Sequence, residues 1–254
     1  MDGTWAGRRI VVAGGCGGIG RALVQALVDR RANPVVLDLA ASIERQGVPS
    51  GVPAFAFDAS DSTSVKEAFA AIGVHCGALD GLVNLVGFTR ERLPIVDIPD
   101  ELWEEVIDGN LLSAFHIARA AMPLLRLGIT PAIVNTSSGL ALKPTPGYGP
   151  YSVSKAGVLA LTRLLAQEGA PHIRANAIAP SAVDTAFLRG GTGRGGDEDG
   201  KPARLDIDAY LRTVPLARLA TVEDVVGPIL FLLSNASAYV TGQTLHVNGG
   251  LLMV

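Results

Sequence analysis

Ile10-Val11-Val12-Ala13-Gly14-Gly15-Cys16-Gly17-Gly18-Ile19-Gly20 is a short β-branched run that breaks into a glycine turn, followed by a helical stretch from Arg21 to Arg31. The turn parses as Gly15-x-Gly17-x-x-Gly20 or as Gly14-x-x-x-Gly18-x-Gly20, and the chain alone does not choose between them. Either way the physics is the same. Missing side chains let the backbone approach a pyrophosphate, whose charge is favoured at a helix N-terminus. The next apolar run ends at Asp38, eighteen residues after Gly20, where a carboxylate can bond the ribose hydroxyls of an adenosine. Asp58 follows the third run, in Phe57-Asp58-Ala59-Ser60-Asp61. It reads as a further cofactor contact or as a helix N-cap, a role that Ser60 or Asp61 also fits. The fourth run ends at Asn84, with Gly87 just beyond. These positions all fall at the carboxyl ends of strands, where open α/β sheets bind ligands.

Outward from this turn the same alternation continues. Pro34 to Leu37, Ala54 to Phe57, Leu82-Val83 with its flanks, Ala132 to Val134, Ile173 to Ile178 and Thr244 to Val247 read as strands. Helical stretches lie at about 19–31, 62–72, 100–126, 151–169 and 222–234. Parallel strands need crossover connections, so the pattern predicts an α/β fold: a doubly wound parallel sheet of about seven strands with helices on both faces. No repeat, linker or composition shift precedes residue 188, and residues 1–254 read as one domain. One stretch breaks the pattern. Gly190 to Gly200 holds six glycines in eleven residues, a composition that predicts a mobile loop.

Composition narrows the function. The 254 residues are 48% apolar and 18% charged, with a net charge of −3, which excludes a disordered chain and a disulfide scaffold. No basic face is available for nucleic acid and no polybasic anchor for a membrane. Cys16 and Cys76 stand outside any metal-ligand spacing, and no metal is expected. Arg8-Arg9 is followed by only four apolar residues before glycine, too short for a secretory core. A soluble, cytoplasmic protein is the expectation.

Tyr151-Ser152-Val153-Ser154-Lys155 opens a helical stretch and sets Tyr151 and Lys155 on one face. A lysine near a tyrosine favours the phenolate by Coulomb attraction. With four lysines against seventeen arginines in the chain, composition does not explain a lysine here. A surface i,i+4 pair is the plainer alternative.

Taken with the glycine turn, these residues resemble the short-chain dehydrogenase/reductase family in its short, single-domain, Rossmann-type form. The resemblance runs from Gly14 to Gly250. Gly14-x-x-x-Gly18-Ile19-Gly20 matches the family's cofactor motif, with Ala13 in place of the usual threonine. Tyr151-x-x-x-Lys155 matches its catalytic pair. Ser138, thirteen residues before Tyr151, matches its catalytic serine, and Asn110 the asparagine that completes the tetrad. Pro180-Ser181-Ala182-Val183-Asp184-Thr185 resembles the segment whose threonine holds the nicotinamide carboxamide, and Asn248-Gly249-Gly250 the C-terminal signature. Two motifs depart: Asn84-Leu85-Val86-Gly87 lacks the second asparagine of Asn-Asn-Ala-Gly, and Pro180-Ser181 replaces Pro-Gly.

The resemblance implies an NAD(H)-dependent oxidoreductase acting on a secondary alcohol or ketone. Tyr151 is then general acid or base, Ser138 bonds the substrate oxygen, Lys155 lowers the phenol pKa and binds ribose, and Asn110 supports a water relay. The cofactor would meet Gly14, Cys16, Gly18, Ile19, Gly20, Asp38, Leu39, Asp58, Ala59, Asn84, Val86, Gly87, Tyr151, Lys155, Pro180, Val183 and Thr185. Leu140, Tyr148, Ala182 and Phe187 are candidate substrate contacts, with Phe88, Leu142 and Leu188 as further wall positions. Leu39 and Gly17 stand where NADP(H)-specific relatives carry a cation. An NADPH-dependent 3-oxoacyl thioester reductase is the alternative, and a dinucleotide sensor without catalysis a third reading. The region 186–212 is expected to form a substrate lid. A homotetramer is also implied, with apolar Val158, Leu159, Leu161, Leu164 and Leu165 and the run Leu251 to Val254 buried against a neighbour. His75, His116, His172 and His246 are scattered and read as structural. Arg8 and Arg9 are expected to be solvated, Trp5 and Trp103 to pack, and Cys16 to sit where a helix N-terminus can lower a thiol pKa.

Overall fold

Val11 and Ala13 pack on one side of the first strand, and Ile10 and Val12 on the other, so this strand is buried on both faces. That pattern belongs to the middle of a parallel sheet. In the computed structural model, which describes residues 5–191 and 205–253, the strand is β1 (Arg9–Ala13). After it come α1 (Gly18–Asp29), β2 (Asn33–Asp38), α2 (Ala40–Gln46), β3 (Ala54–Ala56), α3 (Ser62–Cys76) and β4 (Gly81–Asn84). The second half adds α4 (Asp100–Ile107), α5 (Ser113–Leu125), β5 (Ala132–Thr136), α6 (Gly149–Gly169) and β6 (Arg174–Pro180). The chain continues through α7 (Ile207–Leu211), α8 (Val222–Leu233) and β7 (Thr244–Val247).

All seven strands are parallel, in the order β3-β2-β1-β4-β5-β6-β7. The direction of winding reverses between β1 and β4, which opens a crevice at their carboxyl ends. One face is covered by α3, α5 and α6, with Phe69, Ile72, Ile117, Leu125 and Leu165 against Val11, Leu82 and Ile133. The other is covered by α1 and α8, with Leu23, Leu27, Ile229 and Leu233 against Ile10, Val83 and Val134.

Three expectations need correction. The helix read over 100–126 is two helices joined by a π-helical turn at Asp108–Leu112. The helices α2 and α7 are additional; they span seven and five residues, too short for a periodic apolar stripe to show. Arg8 and Arg9 are structural rather than solvated. Arg8 donates to Leu233 O at 2.8 Å and Asp80 O at 2.9 Å, with its guanidinium 5.3 Å from the buried Trp5 ring. Arg9 clasps the buried Asp80 carboxylate through Nε and Nη2, each at 2.9 Å, and Ile129 N donates to the same carboxylate at 2.7 Å. These bonds hold Asp80 below the usual carboxylate range. Beside them, Arg174 donates to Leu232 O and Ser234 O, so cations close the C-terminal end of α8. The network sits at the amino ends of the strands, opposite the crevice.

Val158, Leu159 and Leu165 are buried within this chain, whereas Leu164 is 49% exposed. No helix among the described residues is long and apolar enough to cross a membrane. Of the expected lid, residues 192–204 lie outside the described residues; the part before them is a short turn at Ala186–Arg189.

Candidate active site

The crevice is a cavity of about 1010 Å³ along the carboxyl ends of the strands. At one end the chain leaves β1 at Gly14 and enters α1 at Gly18, with Gly17 as an N-cap that offers no side-chain oxygen. The first amides of α1 are thus left for an anion. The packing chooses between the two parses of the turn. A Cβ on Gly20 would lie 2.2 Å from Gly14 O and one on Gly18 2.7 Å from Thr185 Cγ2, whereas one on Gly17 would only touch Gly14 O at 3.4 Å. Gly20 is common to both parses and Gly15 is also tight, a Cβ there falling 2.8 Å from Val36 Cγ1, so it is the loose Gly17 that favours Gly14-x-x-x-Gly18-x-Gly20.

Asp38 ends β2 beside this turn. Its carboxylate accepts Cys16 N and Leu39 N, each at 2.8 Å. Burial raises its pKa, and these bonds, the Ser42 hydroxyl and the charge of Arg45 oppose the rise. Burial and the neighbouring Asp38 push the Cys16 thiol up to about 11, the reverse of the activation its place near a helix N-terminus suggested. Asp58 lines the cavity and accepts from Ser60 N and Ser60 Oγ. The N-cap of α3 is Asp61, which accepts Thr63 N at 2.8 Å. Ala59, Ile19 and Val86 share this wall. Arg21 and Arg45 also line it, and Arg21 donates to Gln46. Arg45 is a cation near Asp38 that sequence reasoning missed, because α2 was not expected.

At the other end Tyr151, Ser138 and Lys155 meet. Ser138 follows β5, and its hydroxyl hydrogen-bonds the Tyr151 phenol and accepts Leu140 N at 3.2 Å. Lys155 lies one turn below Tyr151 on α6, with Nζ 3.0 Å from Thr136 O and 5.7 Å from the phenol ring centre. Both side chains are buried. Burial pushes Tyr151 up to about 12, against the hydrogen bond from Ser138, and pushes Lys155 down to about 8. Desolvation dominates the phenol, and the depression expected from the lysine does not appear.

Asn110 belongs to the same cluster but stands behind the cavity wall, 1% exposed. The π-helical turn points it at the chain after β4. Its Nδ2 donates to Phe88 O at 2.9 Å and Val106 O at 2.8 Å, and its Oδ1 accepts Phe88 N at 3.2 Å. Gly87 passes so close that a Cβ would fall 2.5 Å from Asn110 Oδ1 and 2.8 Å from Lys155 Nζ. Asn84 is buried too, and its Oδ1 accepts Val86 N at 3.1 Å. Both asparagines shape the wall from behind.

Pro180, Ala182, Val183, Thr185, Leu140, Tyr148, Phe187, Phe88 and Leu188 line the cavity. Leu142 does not; it is 43% exposed and faces a separate shallow depression with Leu159 and Arg163. Residues not anticipated also line it, among them Leu205, Tyr210, Leu251 and Leu252. Arg92, stacked on Tyr148 at 4.5 Å, and Lys143 stand at the mouth, while Arg90 bonds Glu105 and Arg189 bonds Asp184. Among the described residues no cluster of His, Cys, Asp or Glu could hold a metal ion.

Residues 14–252 match the family model described as enoyl-(acyl carrier protein) reductase. A relative from Thermotoga maritima, the 3-oxoacyl-acyl-carrier-protein reductase FabG, is 31% identical over 97% of this chain and 98% of its own. The enzyme of the same name from Chlamydia muridarum is 32% identical over 99% of this chain and 100% of its own. Among solved structures, aldohexose dehydrogenase of Thermoplasma acidophilum superposes with a TM-score of 0.85 at 28% identity, covering 97% of this chain and 94% of that one. A short-chain dehydrogenase/reductase of the glucose/ribitol dehydrogenase kind from Brucella melitensis does so with a TM-score of 0.83 at 27% identity, covering all of both chains.

Proposed function

Since the chain belongs to the short-chain dehydrogenase/reductase family of oxidoreductases, we propose that it interconverts a secondary alcohol and a ketone with NAD(H). The observation that carries this reading is the convergence of Tyr151, Ser138 and Lys155 on a cavity whose far end is a bare helix N-terminus. A pyrophosphate would rest on the amides of α1, and Asp38 would accept from the adenosine ribose. The nicotinamide supplies or accepts the hydride when bound.

In reduction, Tyr151 Oη gives its proton to the carbonyl oxygen while Ser138 Oγ donates a hydrogen bond to the same atom. In oxidation, Tyr151 takes the alcohol proton back. A phenol held at about 12 is the protonated acid that reduction needs. Lys155 and a positive nicotinamide ring would lower it for the reverse direction. Asn110 fixes the backbone of Phe88 and so the wall opposite the phenol. A sensor without catalysis would have use for Lys155 as a ribose contact but none for the Ser138–Tyr151 hydrogen bond beside it.

The carboxylate of Asp38 would repel a 2′-phosphate and lose its bonds to the hydroxyl, together worth about 2–4 kcal/mol, or thirty- to thousand-fold in kcat/KM. We therefore expect NAD(H) over NADP(H), and Asp38→Ser narrowing the gap. Steady-state kinetics with both cofactors on a panel of secondary alcohols and ketones tests the reading. A second reading, a 3-oxoacyl thioester reductase using NADPH, draws support from the names of the relatives and from Arg92 and Lys143 at the mouth. Comparable or better efficiency with NADPH on such thioesters would put it first.

A further inference from the structure

The chain beyond β7 turns back on itself and enters the cavity. Asn248 is 7% exposed and organises the turn. Its Oδ1 accepts Gly250 N at 3.0 Å, its Nδ2 donates to Leu252 O at 2.7 Å, and its carbonyl accepts Leu251 N at 3.0 Å. Gly249 and Gly250 make the reversal at φ of 61° and 87°. They lie so close to the segment before α8 that a Cβ on Gly249 would meet Val214 Cγ1 at 2.8 Å and one on Gly250 would meet Pro215 Cγ at 2.9 Å. Leu216 N donates to Gly249 O at 3.1 Å, which ties the two segments together. The partner segment is itself anchored to the site, because the Tyr210 hydroxyl accepts Ala182 N at 3.2 Å.

The result is a clamped turn that presents Leu251 and Leu252 to the cavity, on the wall that also holds Tyr210 and Thr213. Both leucines are partly exposed. Apolar side chains held by polar bonds of their own backbone and facing a cavity are suited to meeting a ligand's carbon skeleton. We propose that Leu251 and Leu252 determine substrate specificity by contacting the apolar group attached to the reacting carbonyl carbon. Asn248 acts through them as a positioning residue. This inference rests on the carbonyl-alcohol reading above and names the part of the substrate that reading leaves open: an aliphatic or cyclic hydrocarbon group.

The experiment measures a graded series of methyl ketones, from short to branched and cyclic, in two ways. Turnover with NADH gives kcat/KM, and calorimetry on the NAD⁺ complex, which has no hydride to give a ketone, gives Kd without turnover. Leu252→Ala and Leu251→Ala should shift both preferences by about tenfold toward bulkier ketones, and Leu252→Phe by about as much toward smaller ones. Asn248→Ala should raise KM across the series more than it lowers kcat, with NADH affinity within about twofold. Leu252→Met, close in volume, should keep the parent ranking. An unchanged ranking in the alanine and phenylalanine variants would overturn the proposal, as would a parent protein that binds none of the ketones. A parent that binds them in the expected order but turns none over would overturn the reaction and leave the wall standing.

Discussion

Tyr151 and Lys155 illustrate what burial does to a pair that the sequence can place but not titrate. Their spacing of four on a helix is visible in the chain; the loss of water around both is a property of the packed fold, in which Tyr151 lies against Phe88 and Val106. Under the proposed reaction, Tyr151→Phe should lower turnover at least about a hundredfold while NADH binding stays close to unchanged. Fluorescence titration and steady-state kinetics check the two halves of that statement. The lysine makes a separate prediction about stability. Its pKa falls from 10.5 to about 8 on folding, so the unfolded chain binds more protons between those values and the native state gains stability as pH rises through that window. Below pH 8 the cost is complete. Lys155→Met should therefore stabilise the protein by about 1–2 kcal/mol at pH 7, with the gain fading by pH 10, while abolishing activity. Urea unfolding at the two pH values measures it, and a gain that grows with pH would contradict the assignment of the cost to the buried cation. Leu251, Leu252 and Arg45 were not legible at this scale. Asn248-Gly249-Gly250 signals a turn before the two leucines, but where that turn sends them, and that a seven-residue helix carries Arg45 to the cavity, is set by packing at a distance in the chain.

Elements were legible in proportion to their periodicity. The strands and the helices α1, α3, α6 and α8 carry apolar patterns long enough to read, and the structure places them where those patterns run. The π-helical turn between α4 and α5 was not legible, since it is defined by its backbone hydrogen bonds and five residues are too few to show a period of their own. Its purpose is visible only in space, where it aims Asn110 at the chain after β4. The glycine turn gives the test at this scale. Gly17→Ala should fold and keep NADH affinity within about threefold, because the added carbon meets Gly14 O at ordinary contact distance. Gly20→Ala drives a carbon to 2.2 Å from backbone, and it should cost more than about 2 kcal/mol or prevent folding. Thermal melts and fluorescence titration of the two variants check both outcomes, and tolerance at Gly17, which belongs to only one of the parses, is the result that separates them. Equal tolerance of both would mean that the packing around α1 is looser than these contacts require.

Across the whole molecule the two ends of the strands do different work. At the amino ends Arg8, Arg9, Asp80 and Arg174 join β1, β4, α8 and the chain before β5. Asp80 is held below its ordinary value, so its contribution is present above about pH 4 and is lost as the pH falls and the carboxyl protonates. Asp80→Asn should cost about 2–3 kcal/mol at pH 7, between exposed and buried ion pairs, and much less near pH 3. Chemical unfolding at both pH values checks this, and cofactor preference should not change. The proposed homotetramer also belongs here. Phe115, Val153 and Leu164 are 40–50% exposed on α5 and α6, and sedimentation at micromolar concentration should give four times the chain mass; a monomer would rule it out. The separation of ends has a consequence for change over time. Loads that keep the chain folded converge far from the wall built by Tyr210, Thr213, Leu251 and Leu252, so that wall can drift in shape while the keel stays fixed. A laboratory selection for new substrates can randomise Leu251, Leu252 and Thr213 while keeping Tyr210 for its bond to Ala182 N, and a lineage of such proteins can explore new molecules at little risk to the frame that carries them.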